Sequence, residues 1–119
     1  MSFWRIRMVD EKNILGIIGL CRGAGRAIIG VPMICEALGK RSGKQKDSDE
    51  IKMIVVEASD TSENTHKRIT DKCAFYNVKH IRLEADCQAL GKAVGKSGAV
   101  AAVAINDAGF CRALLLKLS

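Results

Sequence analysis

The most informative stretch of the chain is residues 54–78, which read IVVEASDTSENTHKRITDKCAFYNV. It begins inside an apolar, largely β-branched run, and such a run predicts a strand buried on both faces, here over residues 51–58. Asp60 stands three positions before Glu63, the spacing of a helix N-terminus, and a helical period continues to about Asn77. That period is carried by Thr65, Ile69, Cys73 and Tyr76. The stretch therefore predicts a buried strand followed by an amphipathic helix.

The residues before this stretch predict two more helices joined by a short extended segment. Residues 10–22 form the first helix, because apolar side chains recur at helical spacing and glycines follow. The apolar residues 27–29 are expected to form a strand or an extended turn. A second helix is predicted from Val31 to Gly39, with Pro32 near its start, where the missing N–H costs little. Residues 40–50 are polar throughout and predict an exposed loop.

The residues after the stretch predict two further strands and two further helices. The strands are expected at residues 78–83 and 100–105, where apolar and β-branched side chains are concentrated. Asp86 is expected to cap the first helix, and either Asn106 or Asp107 to cap the second. The alternation of helices and strands along the chain predicts an α/β sandwich with helices on both faces of the sheet.

Composition indicates a single globular domain. The chain has 119 residues, of which 48% are hydrophobic and 27% charged. We assign residues 10–119 to that domain and residues 1–9 to an N-terminal arm.

The longest apolar run, residues 14–21, is far shorter than the roughly 20 residues that cross a bilayer, and no signal-peptide cleavage site follows it. Five cysteines without a C-x-x-C pair predict reduced thiols in a cytoplasmic protein, with no disulfide framework and no zinc site.

Charge gives the first indication of a partner. Nineteen Lys and Arg against thirteen Asp and Glu leave a formal net charge of +6, which suits a polyanion such as nucleic acid. The basic residues are spread along the chain, however, and the one dense cluster, residues 40–46, is followed at once by acidic residues. Charge alone therefore leaves nucleic-acid binding open.

Enzymatic chemistry has little support in the sequence. Neither of the two histidines, His66 and His80, lies in a recognisable catalytic signature, and we expect both to be solvated or weakly hydrogen-bonded. The glycines of RGAGRAIIG, residues 22–30, match neither the Walker pattern nor the dinucleotide-binding fingerprint. We therefore predict no enzymatic activity, no cofactor and no metal.

Two glycine-containing segments suit contacts with phosphate groups. One is the helix start at Gly30, with Arg22 and Arg26 nearby in sequence, and the other is the Gly-Lys-Ser-Gly turn at residues 95–98. Helix N-termini offer free N–H groups and a partial positive charge, both of which favour anions. The alternative interpretation is that these segments are only a helix start and a turn, and the residues alone leave both open.

Four segments resemble the ribosomal protein family of the L7Ae type, whose members bind kink-turn RNA, and in particular its small bacterial members of the YlxQ type. The segments are ILGIIGLCRGAGRAIIG (14–30), IVVEASDTSENTHKRITDKCAFYNV (54–78), LGKAVGKSGAVAAVAI (90–105) and NDAGFCRALL (106–115). Together they span nearly the whole chain. The resemblance implies a three-layer α/β/α sandwich around a four-stranded mixed sheet.

The resemblance also implies an RNA site formed by the helix start after Gly30 and the loop after the Leu90-Gly91 helix. Kink-turn binders of this family place Asn and Glu side chains against sheared G·A pairs, with a Lys one turn further on. This chain has Pro32, Met33 and Glu36 at those positions. With the basic residues near both segments, the candidate RNA-binding set is Arg22, Gly25, Arg26, Gly30, Val31, Pro32, Met33, Glu36, Lys40, Gly95, Lys96, Ser97, Gly98, Ala99 and Val100.

Two functions follow as hypotheses. The first is a non-enzymatic, ribosome-associated RNA-binding protein whose partner is a structured RNA, with ribosomal RNA among the candidates and neither DNA nor a membrane implied. The second is a protein-interaction module that keeps the fold but has lost kink-turn recognition, as the residues at positions 32, 33 and 36 suggest. The sequence leaves open whether the protein forms a homo-oligomer.

Overall fold

The computed structural model describes residues 8–40 and 53–118, which contain five helices and four strands. In chain order these are α1 (Met8–Gly23), β1 (Ala27–Ile29), α2 (Val31–Lys40), β2 (Ile54–Glu57), α3 (Glu63–Phe75), β3 (Lys79–Arg82), α4 (Cys87–Ala93), β4 (Ala102–Ile105) and α5 (Ala108–Leu118). Within these two ranges, no helix is both long enough and apolar enough to cross a membrane.

The four strands form one mixed sheet in the order β1-β4-β2-β3. β4 lies between β1 and β2 and is antiparallel to both, while β2 and β3 are parallel. The register pairs Ile29 with Val103 and Glu57 with Ala102. The C-terminal ends of β1 and β2 therefore meet the N-terminal end of β4. We call this end of the sheet, marked by Ile29, Glu57 and Ala102, the Glu57 end.

Helices cover both faces of the sheet, so the molecule is a three-layer α/β/α sandwich. On one face, α1, α4 and α5 enclose an apolar cluster that includes Val56 and Val103. On the other face, α2 and α3 enclose a second cluster that includes Val55 and Ala104. All residues of β2 and β4 are buried, as expected of central strands covered on both sides. The predicted fold class, including the four-stranded mixed sheet, is confirmed.

The N-terminus of α3 differs from the prediction. Ser62 caps this helix, because its Oγ accepts a hydrogen bond from the Thr65 N–H at 3.2 Å. The Asp60 carboxylate instead accepts from the Cys87 N–H at 2.8 Å, at the start of α4. The prediction that Asp60 caps α3 was therefore wrong, because Asp60 satisfies a free N–H group of a different helix.

Three other helix starts agree with the sequence analysis. The Asp86 carboxylate accepts from the Ala89 N–H at 2.9 Å and caps α4, as predicted. The Asp107 carboxylate accepts from the Phe110 N–H at 3.0 Å. Of the two predicted candidates, Asn106 and Asp107, it is therefore Asp107 that caps α5. Pro32 is the second residue of α2, where a proline is well tolerated.

The boundaries of several elements differ from the predicted ones. α1 begins at Met8, inside the predicted N-terminal arm. β4 begins at Ala102 rather than at residue 100, because the Val100 N–H bonds to the Cys87 carbonyl instead of to a neighbouring strand. β2 ends at Glu57, one residue before its predicted end, although the Ala58 N–H still bonds to the Ala101 carbonyl. The predicted loop at 40–50 lies outside the described residues apart from Lys40, as does the arm before Met8.

A buried carboxylate fastens the first turns of α1 to the connection between β3 and α4. Glu11 is only 7% exposed, and its two oxygens accept from the Glu84 N–H at 2.9 Å and the Ala85 N–H at 2.6 Å. These two backbone donors lie in a connecting segment and would otherwise need water or another acceptor. Glu11 therefore has a structural role that the sequence analysis did not identify.

Two glycines of α1 provide a matched test of how closely this helix approaches α4. A Cβ at Gly19 would lie 2.9 Å from the Ala93 carbonyl oxygen, whereas a Cβ at Gly16 would meet nothing within 4 Å. We expect Gly16→Ala to stabilise the protein by about 0.5–1 kcal/mol, since alanine favours helix over glycine. We expect Gly19→Ala to destabilise it by about 1–3 kcal/mol, since the packed backbone must shift. Urea unfolding measures both values, and equal effects of the two substitutions would contradict the close approach.

Candidate functional site

The structure brings two predicted segments, distant in sequence, into one surface groove. The groove has a volume of about 330 Å³ and lies at the Glu57 end of the sheet. It is lined by Ile29, Gly30, Lys96, Ser97, Gly98, Ala99, Val100 and Ala101. Ile29 and Ala101 were not among the predicted site residues. Their place follows from strand pairing, because the Gly30 N–H donates to the Ala102 carbonyl at 3.1 Å and so holds the start of α2 beside β4.

The loop of residues 95–100 is held against α4 by its backbone. The Lys96 N–H donates to the Gly91 carbonyl at 2.9 Å, and the Val100 N–H donates to the Cys87 carbonyl at 2.9 Å. Gly91 is buried, and a Cβ at this position would collide with the carbonyl oxygen of Gly98. The close approach of loop and helix therefore requires glycine at position 91. Between the two anchors, the loop is exposed.

The other wall of the groove is the N-terminus of α2. Gly30 has a φ of +96°, a conformation that glycine adopts readily, and its carbonyl accepts from the Ile34 N–H at 3.0 Å. Val31 is half-buried, whereas Pro32 is exposed and Met33 is 54% exposed. The helix start thus offers backbone N–H groups and a partial positive charge, while its first exposed side chains are apolar.

The rest of the predicted set does not line the groove, and this includes Val31, Pro32, Met33 and Glu36 of α2 and Gly95 of the loop. Arg22, Gly25 and Arg26 lie near the N-terminal end of β1, the opposite end of that strand from Gly30, and Arg26 forms an ion pair with Asp107 at 3.9 Å. Lys40 ends α2 and forms an ion pair with Glu36 at 3.0 Å. This i,i+4 pair offsets the negative charge that Glu36 places on the exposed side of α2.

A buried carboxylate at the Glu57 end of the sheet interacts with both histidines of the chain. Glu57 is fully buried, and its Oε1 lies 2.9 Å from His66 Nδ1 and 2.7 Å from His80 Nε2. Its Oε2 accepts from the Thr61 hydroxyl and lies 3.8 Å from Arg82 Nε. The prediction that both histidines are solvated or weakly hydrogen-bonded was therefore wrong.

The environment of Glu57 favours the charged carboxylate. Burial acts to raise the pKa of this group, but hydrogen bonds from His80, Thr61 and His66 outweigh burial and lower the pKa to about 2. Glu57, His66 and His80 are separated by 9 and 14 positions, so no local motif reveals the cluster. The one available signal is a glutamate inside an otherwise apolar strand, because a buried charge requires partners.

The cysteines lie in apolar or partly apolar surroundings. None of the five cysteines, all of which lie in the described ranges, forms a disulfide; Cys21, Cys73 and Cys111 are buried, and Cys35 and Cys87 are partly buried. Burial raises the pKa of Cys21 to about 11 and that of Cys73 to about 12. Burial, together with the carboxylate of Asp60, also raises the pKa of Cys87 to about 11. Thiols with such pKa values are weak nucleophiles at neutral pH, so they add no reactive group to the site.

The fold agrees with the protein family that the sequence matches. The model of the ribosomal protein L7Ae/L30e/S12e/Gadd45 family matches residues 39–115, and the chain belongs to this family. Within the family, the chain is similar to the RNA-binding protein YlxQ of Bacillus subtilis, with 30% identity over 102 residues, or 86% of this chain and 91% of that protein. The family resemblance noted in the sequence is confirmed.

Two solved structures have the same fold. A protein of unknown function from Bacillus halodurans superposes with a TM-score of 0.72 at 26% identity, covering 88% of this chain and 95% of that chain. A 15.5 kD RNA-binding protein of Giardia lamblia superposes with a TM-score of 0.73 at 12% identity, covering 99% and 90% of the two chains. At such low identity the second structure supports the fold alone.

The contact between Gly91 and Gly98 predicts how the loop responds to added side chains. We expect Gly91→Ala to push the loop off α4 and to increase amide hydrogen exchange at Lys96 and Val100 by roughly tenfold or more, since both donors bond to α4. Gly98→Ala is the control, because a Cβ at that position meets nothing within 4 Å. Exchange rates that stay unchanged in Gly91→Ala would show that the helix does not fix the loop.

Proposed function

We propose that this protein is a non-enzymatic RNA-binding protein that recognises structured RNA of the kink-turn type through the groove between Gly30 and the 95–101 loop. One observation carries the proposal: two segments 65 positions apart form a single groove beside a helix N-terminus. The proposal is also supported by the formal net charge of +6 and by a relative that is named for RNA binding.

The groove has the physical properties that a nucleotide turned out of an RNA stack requires. Its apolar wall, formed by Ile29, Val100 and Ala101, suits the flat face of a base. The free N–H groups at the start of α2 and the exposed ammonium of Lys96 suit the phosphates on either side. Volumes of this order are typical of sites for small ligands, so the groove has room for one base rather than for a duplex.

Recognition in this protein relies on shape more than on side-chain readout of bases. Pro32 has no N–H and Met33 has no strong donor or acceptor, so neither side chain reads a base edge well. Glu36 is paired with Lys40, which reduces its repulsion of phosphate. Backbone donors, the apolar wall and Lys96 remain as the contacts that hold one conformation of a folded RNA.

We also propose a location for this protein in the cell. A protein that stabilises one RNA conformation without bond chemistry needs no cofactor, and ribosomal RNA is a structured RNA of the required kind. We therefore place this protein in the cytoplasm, associated with the ribosome. The protein-interaction module remains the other function to be tested, and the titrations described next distinguish the two.

The central test is calorimetric titration with a kink-turn RNA and with a simple duplex of equal length, at ~50 and ~200 mM salt. We expect the kink-turn to be preferred at both salt concentrations, because purely electrostatic binding weakens steeply over this range. We expect Lys96→Gln to weaken kink-turn binding by roughly tenfold, the effect of losing a charge-assisted phosphate contact. Lys92→Gln is the matched control, because Lys92 is exposed on α4 but does not line the groove.

The outcome of this titration separates the two functions. Equal binding of kink-turn and duplex at ~200 mM salt would contradict the proposed function. If light scattering then showed a tight homodimer, the protein-interaction module would be favoured, with α2 as the first surface to examine.

A second variant tests the role of α2. We expect Glu36→Lys to strengthen kink-turn binding by roughly threefold to tenfold, because it replaces the acid at the position where the family has a cation. Asp71→Lys makes the same change of charge at an exposed site on α3 and is the control. Equal gains in both variants would mean that total charge, rather than the position of residue 36 on α2, determines the affinity.

A further inference from the structure

We infer that Glu57, His66 and His80 form a binding site for one divalent transition-metal ion, and that Zn²⁺ fits the donor set best. The inference is independent of the proposed RNA-binding function, because none of the three residues lines the groove. It also differs from the sequence-based expectation of no metal site.

Three donor atoms converge in a way that suits a metal. Glu57 Oε1, His66 Nδ1 and His80 Nε2 all lie within 4.8 Å of one another. Two imidazoles and one carboxylate are a known donor set for Zn²⁺, which then has a fourth position open to water. Donor atoms around a tetrahedral Zn²⁺ are about 3.3 Å apart. The contacts of 2.7 and 2.9 Å would therefore lengthen by about half an ångström, and the two imidazole nitrogens, which lie within 4.8 Å of each other, would settle at the same separation.

Three secondary-structure elements supply the donors. Glu57 is the last residue of β2, His80 lies on the neighbouring strand β3, and His66 lies near the start of α3. The chain has two histidines, and both point at the same carboxylate. Rigid elements hold donor atoms more precisely than loops do, which favours metal binding at a position set by the fold.

The second oxygen of Glu57 has its own partners. Glu57 Oε2 accepts from the Thr61 hydroxyl and lies 3.8 Å from Arg82 Nε, while Arg82 also donates to the Ser59 carbonyl at 3.0 Å. These contacts hold the carboxylate beside the two imidazoles, where His66 Nδ1 also lies 3.0 Å from Oε2. Metal-binding carboxylates are commonly held by such outer hydrogen bonds. Thr61 and Arg82 therefore act as positioning residues for this site.

Access and proton balance are also compatible with a metal. The His66 side chain is 23% exposed and that of His80 is 8% exposed, so solvent reaches the histidine side of the cluster while Glu57 stays fully buried. A proton on His66 Nδ1 or His80 Nε2 would leave to solvent from a charged imidazole, or move to the other ring nitrogen of a neutral one. Each imidazole would then bind Zn²⁺ as a neutral ligand, with its remaining proton on the nitrogen away from the metal.

A bound ion would join the ends of β2, β3 and α3. Because metal binds the folded state, occupancy raises the free energy of unfolding. At a free Zn²⁺ concentration about 100 times the Kd, the unfolding equilibrium constant should fall roughly 100-fold.

The test uses the full chain, freed of metal by a chelator and kept reduced, and titrated with ZnCl₂. Long-range ¹H–¹⁵N spectra report the imidazole nitrogens of the two histidines. We expect the His66 Nδ1 and His80 Nε2 signals to shift together and to saturate at one equivalent of Zn²⁺. MgCl₂ should leave both signals unchanged, because Mg²⁺ prefers oxygen ligands and retains its water.

Variants exclude the other potential Zn²⁺ ligands. His66→Gln and His80→Gln keep a side-chain donor for Glu57 but lose the imidazole ligand, and each should weaken Zn²⁺ binding at least tenfold. The double variant Cys35→Ser/Cys87→Ser removes the two partly buried thiols and should leave the affinity unchanged. Circular dichroism checks that each variant is folded. If a variant does not fold, the Zn²⁺ titration of the unsubstituted protein still tests the inference.

Two results would overturn the inference. The first is that neither imidazole signal moves at one equivalent of Zn²⁺. The second is that Zn²⁺ uptake survives both histidine substitutions and disappears with the cysteine substitutions, which would place the ion on thiols instead.

Discussion

The antiparallel pairing of β2 with β4 places the candidate groove and Glu57 at the same end of the sheet. The register that sets Glu57 opposite Ala102 brings the end of β2, the start of β4 and the end of β1 to one end of the sheet. The groove and the carboxylate cluster both form at this end. Both strands are fully buried, so a slip by one residue would turn apolar side chains from one cluster to the other and dismantle both core layers.

Backbone contacts give the groove its shape. Gly30 allows the turn into α2, Gly91 allows the loop to lie against α4, and hydrogen bonds from Lys96 and Val100 fix the ends of that loop. A surface of this kind presents N–H groups and shape, which suit a folded polyanion. The acid on the exposed side of α2, Glu36, is paired with Lys40 of the same helix.

Much of the fold was predictable from local patterns. The run before Glu57 indicated a buried strand, Asp86 and Asp107 indicated helix starts, and the alternation of elements indicated the three-layer sandwich. The role of Asp60 was mispredicted because its partner is the N–H of Cys87, 27 positions away, and capping patterns consider only near neighbours.

The site was predictable only in part, because its residues also meet through contacts between segments distant in sequence. Gly30 and the 95–100 loop were found as separate segments, and their approach depends on strand pairing that no local pattern encodes. Arg22 and Arg26 were grouped with Gly30 because they are close in sequence, but β1 separates them from it in space. The Glu57 cluster was missed because its three members come from two strands and a helix.

The hydrogen bonds of Glu11 have a consequence for the order in which the chain acquires its structure. The first helix is synthesised early, yet its buried carboxylate waits for N–H groups at positions 84 and 85, and its apolar face packs against α5, the last helix. Contacts between segments this distant in sequence carry a large loop-closure entropy and slow folding. During synthesis, α1 therefore remains without α4 and α5 until most of the domain has emerged, and the core layer that these three helices share closes late.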